Sequence, residues 1–280
     1  MSHQHPTHAF DQAIALRPSD DENASVGHLS QSYFNMVGPF GGVLAATLLN
    51  AVLSHPEKLG EPVSMTVNFP GPVADSDFTV LTQLIRTNRS SQHWFVQLQQ
   101  DGSTAVTAMV LLAVRRDSWQ GTDLQMPDNL PEPTDLAPLD TAGFPRWVNH
   151  YDMRFIEGDL HYDPPMTEQS QARTRLWVKD KPHRPLDFLA LMSISDCFFP
   201  RVFLRLGQLM PAGTVSLTTY FHVDSETLLH YSEQFIFGQA RAQRYYRNYF
   251  DQLVELWSAD GNLLATSTQI VYFKNESAPR

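Results

Sequence analysis

The sequence predicts an α+β fold in which one unit, a buried helix wrapped by an antiparallel sheet, occurs twice along the chain. Two mostly apolar stretches, near residues 42–54 and at 186–199, have the length of helices and are accompanied by strand-like segments. The hairpin signal Asp-Gly occurs in each half, at 101–102 and at 260–261. A Pro-rich stretch at 117–145 separates the strands and helix of the first half from those of the second. We therefore predict a tandem duplication: two antiparallel sheets, each around a long central helix.

The stretch at 186–199 is predicted to be a fully buried helix, because its interior positions are apolar except for two serines and Asp196. Pro185 before it and Pro200 after it give the segment a start and a stop, or at least a kink. A buried carboxylate without partners costs several kcal/mol or acquires a raised pKa. Asp196 is therefore either hydrogen-bonded for structure or poised for chemistry.

Strand signals divide the rest of the chain. In the first half they lie at 62–69, 78–87, 93–99 and 104–114, and in the second half at 147–156, 172–178, 214–223, 229–237, 249–257 and 263–273. We expect a loose polar segment at 1–24, a first domain at 25–116, a linker at 117–145 and a second domain at 146–280. The early histidines fit a solvated tail better than a metal site, since no acidic or cysteine complement lies near them.

The apolar helix of the first half opens with the pair Gly41-Gly42. Glycines at a helix start permit close backbone approach, and the free N–H groups there favour an anion or a polarised carbonyl. A tight packing turn explains the same pair equally well.

The two hairpins align the halves and show an asymmetry. Matching the Asp-Gly pairs places Val110 against Gln269, whose strand neighbours put it on the apolar face. A looser match of the two helices places Asn50 against Asp196. Because an amide cannot serve as a general base, this alignment predicts at most one functional site per chain.

Composition limits the classes of function. The chain has 280 residues, 42% of them hydrophobic and 18% charged, which suffices for a large core. Its net charge of -10 argues against a nucleic-acid surface, and no stretch approaches the about 20 apolar residues of a membrane span. The lone Cys197 fits packing better than nucleophilic chemistry, and with the absence of a signal region it predicts a cytoplasmic protein.

The order of elements resembles the hotdog fold in its double form, and specifically the acyl-CoA thioesterase II family with its bacterial relatives. Four segments carry the resemblance: PFGGVL at 39–44, LDFLALMSISD at 186–196, YFH at 220–222 and DGNLLATSTQ at 260–269. Together they span nearly the whole chain. The resemblance implies hydrolysis of acyl-CoA to free acid and CoA, with acyl-CoA as the partner molecule.

In that family an aspartate, a threonine or serine, and a glutamine are understood to hold and activate a water that attacks the thioester. Asp196 and Gln269 match the first and last of these. Counting back from the YFH segment gives the hydroxyl role to Thr214, although Ser216 or Thr218 could substitute. Strict strand alternation places all three hydroxyls on the face opposite Leu217.

The chemistry agrees with these residues, since a carboxylate beside a water can act as general base, worth roughly 10²–10⁴ in rate. Backbone N–H groups near Phe188 or at Gly42 could receive the oxyanion. No metal or cofactor is expected. The alternatives are a non-catalytic protein that binds acyl thioesters or fatty acids, and a hydratase using His222.

Two further expectations concern partners. We expect the chain to form a homo-oligomer, most simply a dimer. The arginines that would hold the CoA phosphates are candidates by charge alone, and these are Arg86, Arg89, Arg201, Arg205, Arg241 and Arg244.

Overall fold

The structure is a computed structural model that describes residues 8–161 and 165–274. The first half contributes β1 (Leu16–Pro18), β2 (Ala24–His28), β3 (Glu61–Asn68), β4 (Asp77–Thr87), β5 (Ser91–Gln100) and β6 (Ser103–Ala113). The second half contributes β7 (Tyr151–Glu157), β8 (Thr174–Asp180), β9 (Ala212–Phe221), β10 (Ile236–Arg241), β11 (Tyr245–Tyr246), β12 (Tyr249–Trp257) and β13 (Leu263–Phe273). The α-helices are α1 (Ala9–Ala13), α2 (Gly41–Leu53), α3 (Phe188–Ile194), α4 (Arg201–Leu206) and α5 (Ser225–His230).

The described strands form one antiparallel sheet that continues from the first half into the second. The strand order is β1-β2-β4-β5-β6-β3-β9-β13-β12-β10-β8-β7, and β11 pairs with β12. The halves join where β3 pairs with β9, with Thr66 opposite Thr218 and their hydroxyl oxygens 3.0 Å apart. Each of these strands would otherwise present unpaired N–H and C=O groups at an edge, and the pairing satisfies both.

The helix predicted near 42–54 is confirmed as α2, which has 13 residues. It is apolar on all sides because it lies inside the molecule, where the side chains of Leu48 and Val52 are fully buried. Its first turn crosses close to α3. A Cβ at Gly42 would lie 2.6 Å from the carbonyl oxygen of Ser193, so this close approach of the two helices requires a glycine.

The prediction of one helix at 186–199 is wrong, since α3 has only 7 residues and ends at Ile194. Its start is well defined, because the Asp187 carboxylate accepts the Ala190 N–H at 2.8 Å. Its end is set by Ser195, whose hydroxyl donates to the Met192 carbonyl at 2.7 Å and so replaces a helical partner. Asp196 therefore lies in the turn that follows the helix.

Part of the N-terminal segment that is predicted to be loose packs against the rest of the fold, at residues 9–14. Phe10 of α1 is fully buried, and Ile14 is 3% exposed. The guanidinium of Arg184 lies over the Phe10 ring at 5.0 Å and also pairs with Asp11 at 2.9 Å. Residues 1–7, which include two of the early histidines, lie outside the described residues.

Most predicted strands are confirmed, but the strand at 229–237 is wrong. Residues 225–230 form α5, because the Asp224 carboxylate accepts the Thr227 N–H at 2.8 Å and begins a helix there. The strand starts only at Ile236. No helix in the described part of the chain is long and apolar enough to cross a membrane.

Candidate active site

A cavity of about 550 Å³ lies between the first turn of α2 and the strands β9 and β13. Its wall is mainly apolar and includes Phe40, Phe69, Phe144, Trp147, Phe198 and Phe199. The polar side chains in the wall include Asp196, Thr214 and Gln269, the three that the sequence singled out. The volume and the mainly apolar lining are typical of a small-molecule site.

Asp196 lies directly after α3 and faces the first turn of α2. Its Oδ1 accepts a hydrogen bond from Gln269 Nε2 at 2.8 Å, and the Gly42 N–H also donates to its carboxylate. Burial raises the pKa of Asp196 to about 7, although these two hydrogen bonds oppose the shift. The carboxyl group is thus poised to exchange a proton near neutral pH.

Gln269 lies on the buried face of β13, as predicted, and is 2% exposed. Its amide joins the other two side chains. The Oε1 atom accepts from the Thr214 hydroxyl at 3.2 Å, while the Nε2 atom donates to Asp196. Both bonds require the same amide orientation, because only the oxygen accepts and only the nitrogen donates.

A β-bulge brings Thr214 into the cavity. Val271 pairs with Thr214 and Ile270 pairs with Ser216, so Val215 is an extra residue in β9. The bulge reverses the alternation of side chains, which places Thr214 on the same side as Leu217. The expectation from strict alternation is therefore wrong for this residue.

The two other hydroxyls considered from the sequence are placed elsewhere. Thr218 contacts Thr66 across the junction of the halves, and neither Ser216 nor Thr218 lines the cavity. His222 is the residue that the hydratase alternative would use. Its Nε2 lies 3.0 Å from the Thr266 hydroxyl, and the residue does not line the cavity.

The first half of the chain contributes to the site through α2. A helix N-terminus carries partial positive charge, so the first turn of α2 stabilises the nearby carboxylate of Asp196. A Cβ at Gly41 would lie 2.8 Å from Asp196 Oδ2, so this glycine lets the two groups approach. The carboxylate, amide and hydroxyl come from the second half, but the cavity is formed by both.

The donors expected for an oxyanion are arranged differently from the prediction. The Gly42 N–H is directed at Asp196, as described above. Phe188 does not line the cavity, since it lies at the opposite end of α3, where Asp187 caps the helix. Gly41 lines the cavity at the N-terminus of α2.

The strand registers support the alignment of the two halves. A second bulge occurs in β3, where Leu112 pairs with Pro62 and Leu111 with Ser64, leaving Val63 as the extra residue. This bulge corresponds to the one at Val215, because each lies next to the strand that carries the aligned position Val110 or Gln269.

The first half therefore has the same bulged strand pairing but different side chains at the aligned positions. Pro62 stands where the second half has Thr214, and Val110 stands where it has Gln269. Asn50, the residue aligned with Asp196, donates from Nδ2 to the Ile14 carbonyl at 2.9 Å. Its amide thus holds the N-terminal segment in place.

Sequence reasoning missed Gln252, whose buried side chain also lines the cavity. The signal was present: Phe250, Gln252 and Val254 alternate along β12, so a glutamine interrupts an apolar face just as Gln269 does. Arg201, a candidate for CoA binding by charge, is fully buried and hydrogen-bonds to Gln252, so it cannot meet a phosphate at the surface.

Comparisons with known proteins agree with this architecture. The family model of the acyl-CoA thioesterase C-terminal domain matches residues 127–273, and that of the N-terminal domain matches residues 30–113. A search of curated proteins found no match.

Several solved structures are similar over nearly their whole length. A conserved protein of unknown function with a hot dog fold from Alicyclobacillus acidocaldarius is 43% identical, with a TM-score of 0.91 over 98% of this chain and 100% of that one. A putative thioesterase II from Thermobifida fusca is 20% identical, with a TM-score of 0.81 over 97% and 99% of the two chains. An acyl-CoA thioesterase II from Mycobacterium marinum is 15% identical, with a TM-score of 0.74 over 96% and 99%.

The antiparallel sheet and the likeness to the Alicyclobacillus acidocaldarius protein define a protein of the hotdog fold. The two family models together match most of the sequence. The chain belongs to the acyl-CoA thioesterase family.

Proposed function

We propose that this protein hydrolyses acyl-CoA thioesters, with Asp196 as the general base for an attacking water. The observation that carries the proposal is the continuous hydrogen-bonded series from Thr214 through Gln269 to Asp196 in the wall of one cavity. Membership of the acyl-CoA thioesterase family supports the thioester as the substrate class.

The reaction needs no covalent intermediate with the protein, because a thioester is electrophilic enough for direct attack by water. The Asp196 carboxylate takes a proton from the water while the water oxygen forms a bond to the carbonyl carbon, and the carbonyl π electrons move to the carbonyl oxygen. When the tetrahedral intermediate collapses, the C–S bond breaks and the thiolate leaves. It receives the proton from Asp196, so the products are the acid and CoA thiol.

Gln269 and Thr214 orient the reaction in this proposal. The Thr214 hydroxyl holds the Gln269 oxygen, which directs the amide nitrogen toward the carboxylate. Asp196 keeps further lone pairs for a water, since an ionised carboxylate accepts about four hydrogen bonds. A general base works best when its pKa is close to the operating pH, and the raised pKa of Asp196, about 7, meets that condition.

The apolar part of the cavity is proposed to hold the acyl chain. Phe198 and Phe199 follow Asp196 after one intervening residue and line the same cavity, so an acyl chain that places its carbonyl beside the carboxylate contacts aromatic side chains. The aromatic wall also keeps bulk water from the carboxylate, which strengthens the hydrogen bonds there.

The test is the release of free thiol from a panel of acyl-CoA chain lengths by the purified full chain. We expect steady turnover for at least one chain length and loss of turnover in Asp196→Asn. Binding of acyl-CoA without release of thiol at any length would instead identify a non-catalytic acyl-thioester binding protein. The chain-length profile also gives the length of acyl group that the cavity accepts.

A further inference from the structure

A second glutamine lies beside Gln269 in the cavity wall. Gln252 of β12 is the direct cross-strand partner of Gln269 on β13, and it is only 1% exposed. Side chains at directly opposite positions leave the sheet on the same face, with Cβ atoms about 4.5–5.5 Å apart. The polar part of the cavity therefore contains two neighbouring amides.

Gln252 is held by a buried cation. Arg201 is fully buried, and its Nε donates to Gln252 Oε1 at 3.2 Å and to the Phe199 carbonyl at 3.0 Å. Its terminal nitrogens donate to the Thr174 hydroxyl and again to the Phe199 carbonyl. No carboxylate pairs with it among the residues that the structure describes.

A guanidinium that is buried without a carboxylate partner lowers the stability of the fold. A role of Arg201 in the site would explain its presence despite this cost. Burial lowers the pKa of Arg201 to about 10, which still leaves it charged at neutral pH. Because a guanidinium only donates, the oxygen of Gln252 must face it, and the amide nitrogen must face the other way. Arg201 thus fixes the orientation of the Gln252 amide.

The fixed amide has a free donor. Gln252 Nε2 donates to the Phe198 carbonyl at 3.3 Å. An amide nitrogen carries two N–H bonds, and the second has no partner among residues 8–161 and 165–274. The Gln252 side chain lines the cavity, and this N–H is the one donor of the amide that is left for a ligand.

The aligned pair in the first half has no such arrangement. Trp94 is the cross-strand partner of Val110, so it stands where the second half has Gln252. The ring of His55 packs edge-on against Trp94 with ring centroids 4.7 Å apart, in the place of the contact between Arg201 and Gln252. The cation and the amide occur only in the half that carries Asp196 and Gln269.

We propose that Gln252 donates its free N–H to the carbonyl oxygen of the bound thioester, and that Arg201 is the positioning residue that aims it. This inference rests on the proposed function and adds a donor to it. The Gly42 N–H is already directed at Asp196, so it does not serve the developing oxyanion. The loss of one such donor in an acyl-transfer site costs about 10²–10³ in kcat.

Two substitutions of Gln252 test the role of the donor. Gln252→Met removes the amide at similar size, and Gln252→Glu replaces the donor by an acceptor while giving Arg201 a carboxylate partner. We expect kcat to fall about 10²-fold or more in both, with a small change in KM and with the thermal midpoint of Gln252→Glu equal to that of the wild type or higher. Trp94→Phe, at the aligned position, is the matched control and should keep kcat. Folded Gln252→Glu and Gln252→Met proteins with kcat within threefold of the wild type would overturn the proposal.

A spectroscopic measurement separates this proposal from the proposed function. The probe is an acyl-CoA analogue in which a methylene replaces the sulfur and the carbonyl carbon is ¹³C, so it binds but cannot be hydrolysed. A donor to its oxygen lowers the C=O stretching frequency in the wild type, and Gln252→Met and Arg201→Lys should return the band toward its position in water-free solvent. A band that is unchanged by both substitutions contradicts the inference. If the wild type shows the Gln252-dependent shift but releases no thiol, the hydrolytic function fails while the hydrogen bond stands.

Discussion

The amide of Gln269 joins the Asp196 carboxylate, 2.8 Å from its nitrogen, to the Thr214 hydroxyl, 3.2 Å from its oxygen. These two bonds make the amide the central group of the site. Because one end is negatively charged and the other is a hydroxyl donor, the amide has a single favourable orientation.

The activity should depend on pH through Asp196. The group must be ionised to accept a proton, and its pKa is raised to about 7 by burial. We expect kcat/KM to rise with increasing pH and to reach half of its plateau close to that value. Asp180 is a matched control, because burial also raises its pKa to about 7 and it does not line the cavity. Asp180→Asn should leave the pH profile in place, and a flat profile in the wild type would exclude Asp196 as the base.

The free energy of unfolding should also depend on pH through Asp196, but in the opposite direction from the activity. The pKa of Asp196 is near 3.8 in the unfolded chain and about 7 in the fold, so between these values only the folded state holds the proton. Stability from this group is therefore lost as pH rises through that window. Asp196→Asn removes the effect. Its thermal midpoint should equal or exceed that of the wild type, and the difference should grow between about pH 4 and about pH 8. A variant that unfolds at all pH values would mean that the carboxylate is structural.

The aligned positions on β6 and β13 offer an internal comparison. Gln269→Val should lower kcat about 10²-fold or more, because the carboxylate and the hydroxyl lose the amide between them, with little change in substrate binding. Val110→Ala should cost roughly 1–3 kcal/mol in the free energy of unfolding and leave kcat of the folded enzyme nearly unchanged. Equal losses of kcat per folded molecule would mean that the site is not confined to one half.

The choice among the three hydroxyls of β9 can be tested directly. Thr214→Val keeps the size of the side chain but removes the donor to Gln269, so kcat should fall about tenfold, as expected for the loss of one hydrogen bond of about 1.4 kcal/mol. Thr218→Val changes a hydroxyl at the junction of the halves and should leave kcat within twofold to threefold. A large fall in kcat for Thr218→Val and none for Thr214→Val would mean that the hydroxyl of Thr218 acts in the site.

The first turn of α2 can be probed at one glycine. Gly41→Ala would place a Cβ 2.8 Å from Asp196 Oδ2, closer than such atoms normally approach, so the carboxylate must shift. We expect a fall in kcat with the secondary structure unchanged by circular dichroism. A variant with the kcat of the wild type would show that the position of the carboxylate tolerates this displacement.

The strands and the alignment of the halves were readable from the sequence because they follow local patterns. Apolar side chains alternate along β13 and share one face, and Gln269 is a polar residue on that face. This alternation alone predicts that Gln269 faces inward. The Asp-Gly hairpins gave the register between Val110 and Gln269, which the two bulged strands support.

Other features depend on contacts that a sequence pattern does not encode. The end of α3 is decided by side-chain hydrogen bonds such as that of Ser195, which compete with the helix over a single turn. The bulge at Val215 depends on the pairing of β9 with β13, and without it Thr214 would face the other side of the sheet. The packing of α1 depends on contacts of Phe10 and Ile14 with apolar residues that are distant in the sequence.

The bulges at Val63 and Val215 occupy equivalent positions in the two repeats, but the residues beside them differ. In a symmetric pair of identical subunits, every substitution appears at both copies of a position, so a change that improves one cavity also alters the other. Covalent fusion of the two repeats removes that constraint, because Pro62 and Thr214 are encoded separately. One repeat can therefore keep the polar side chains of the cavity, while the other has side chains at the same positions that pack in the core or bind the N-terminal segment. A homodimer of single repeats cannot differ between its two copies in this way.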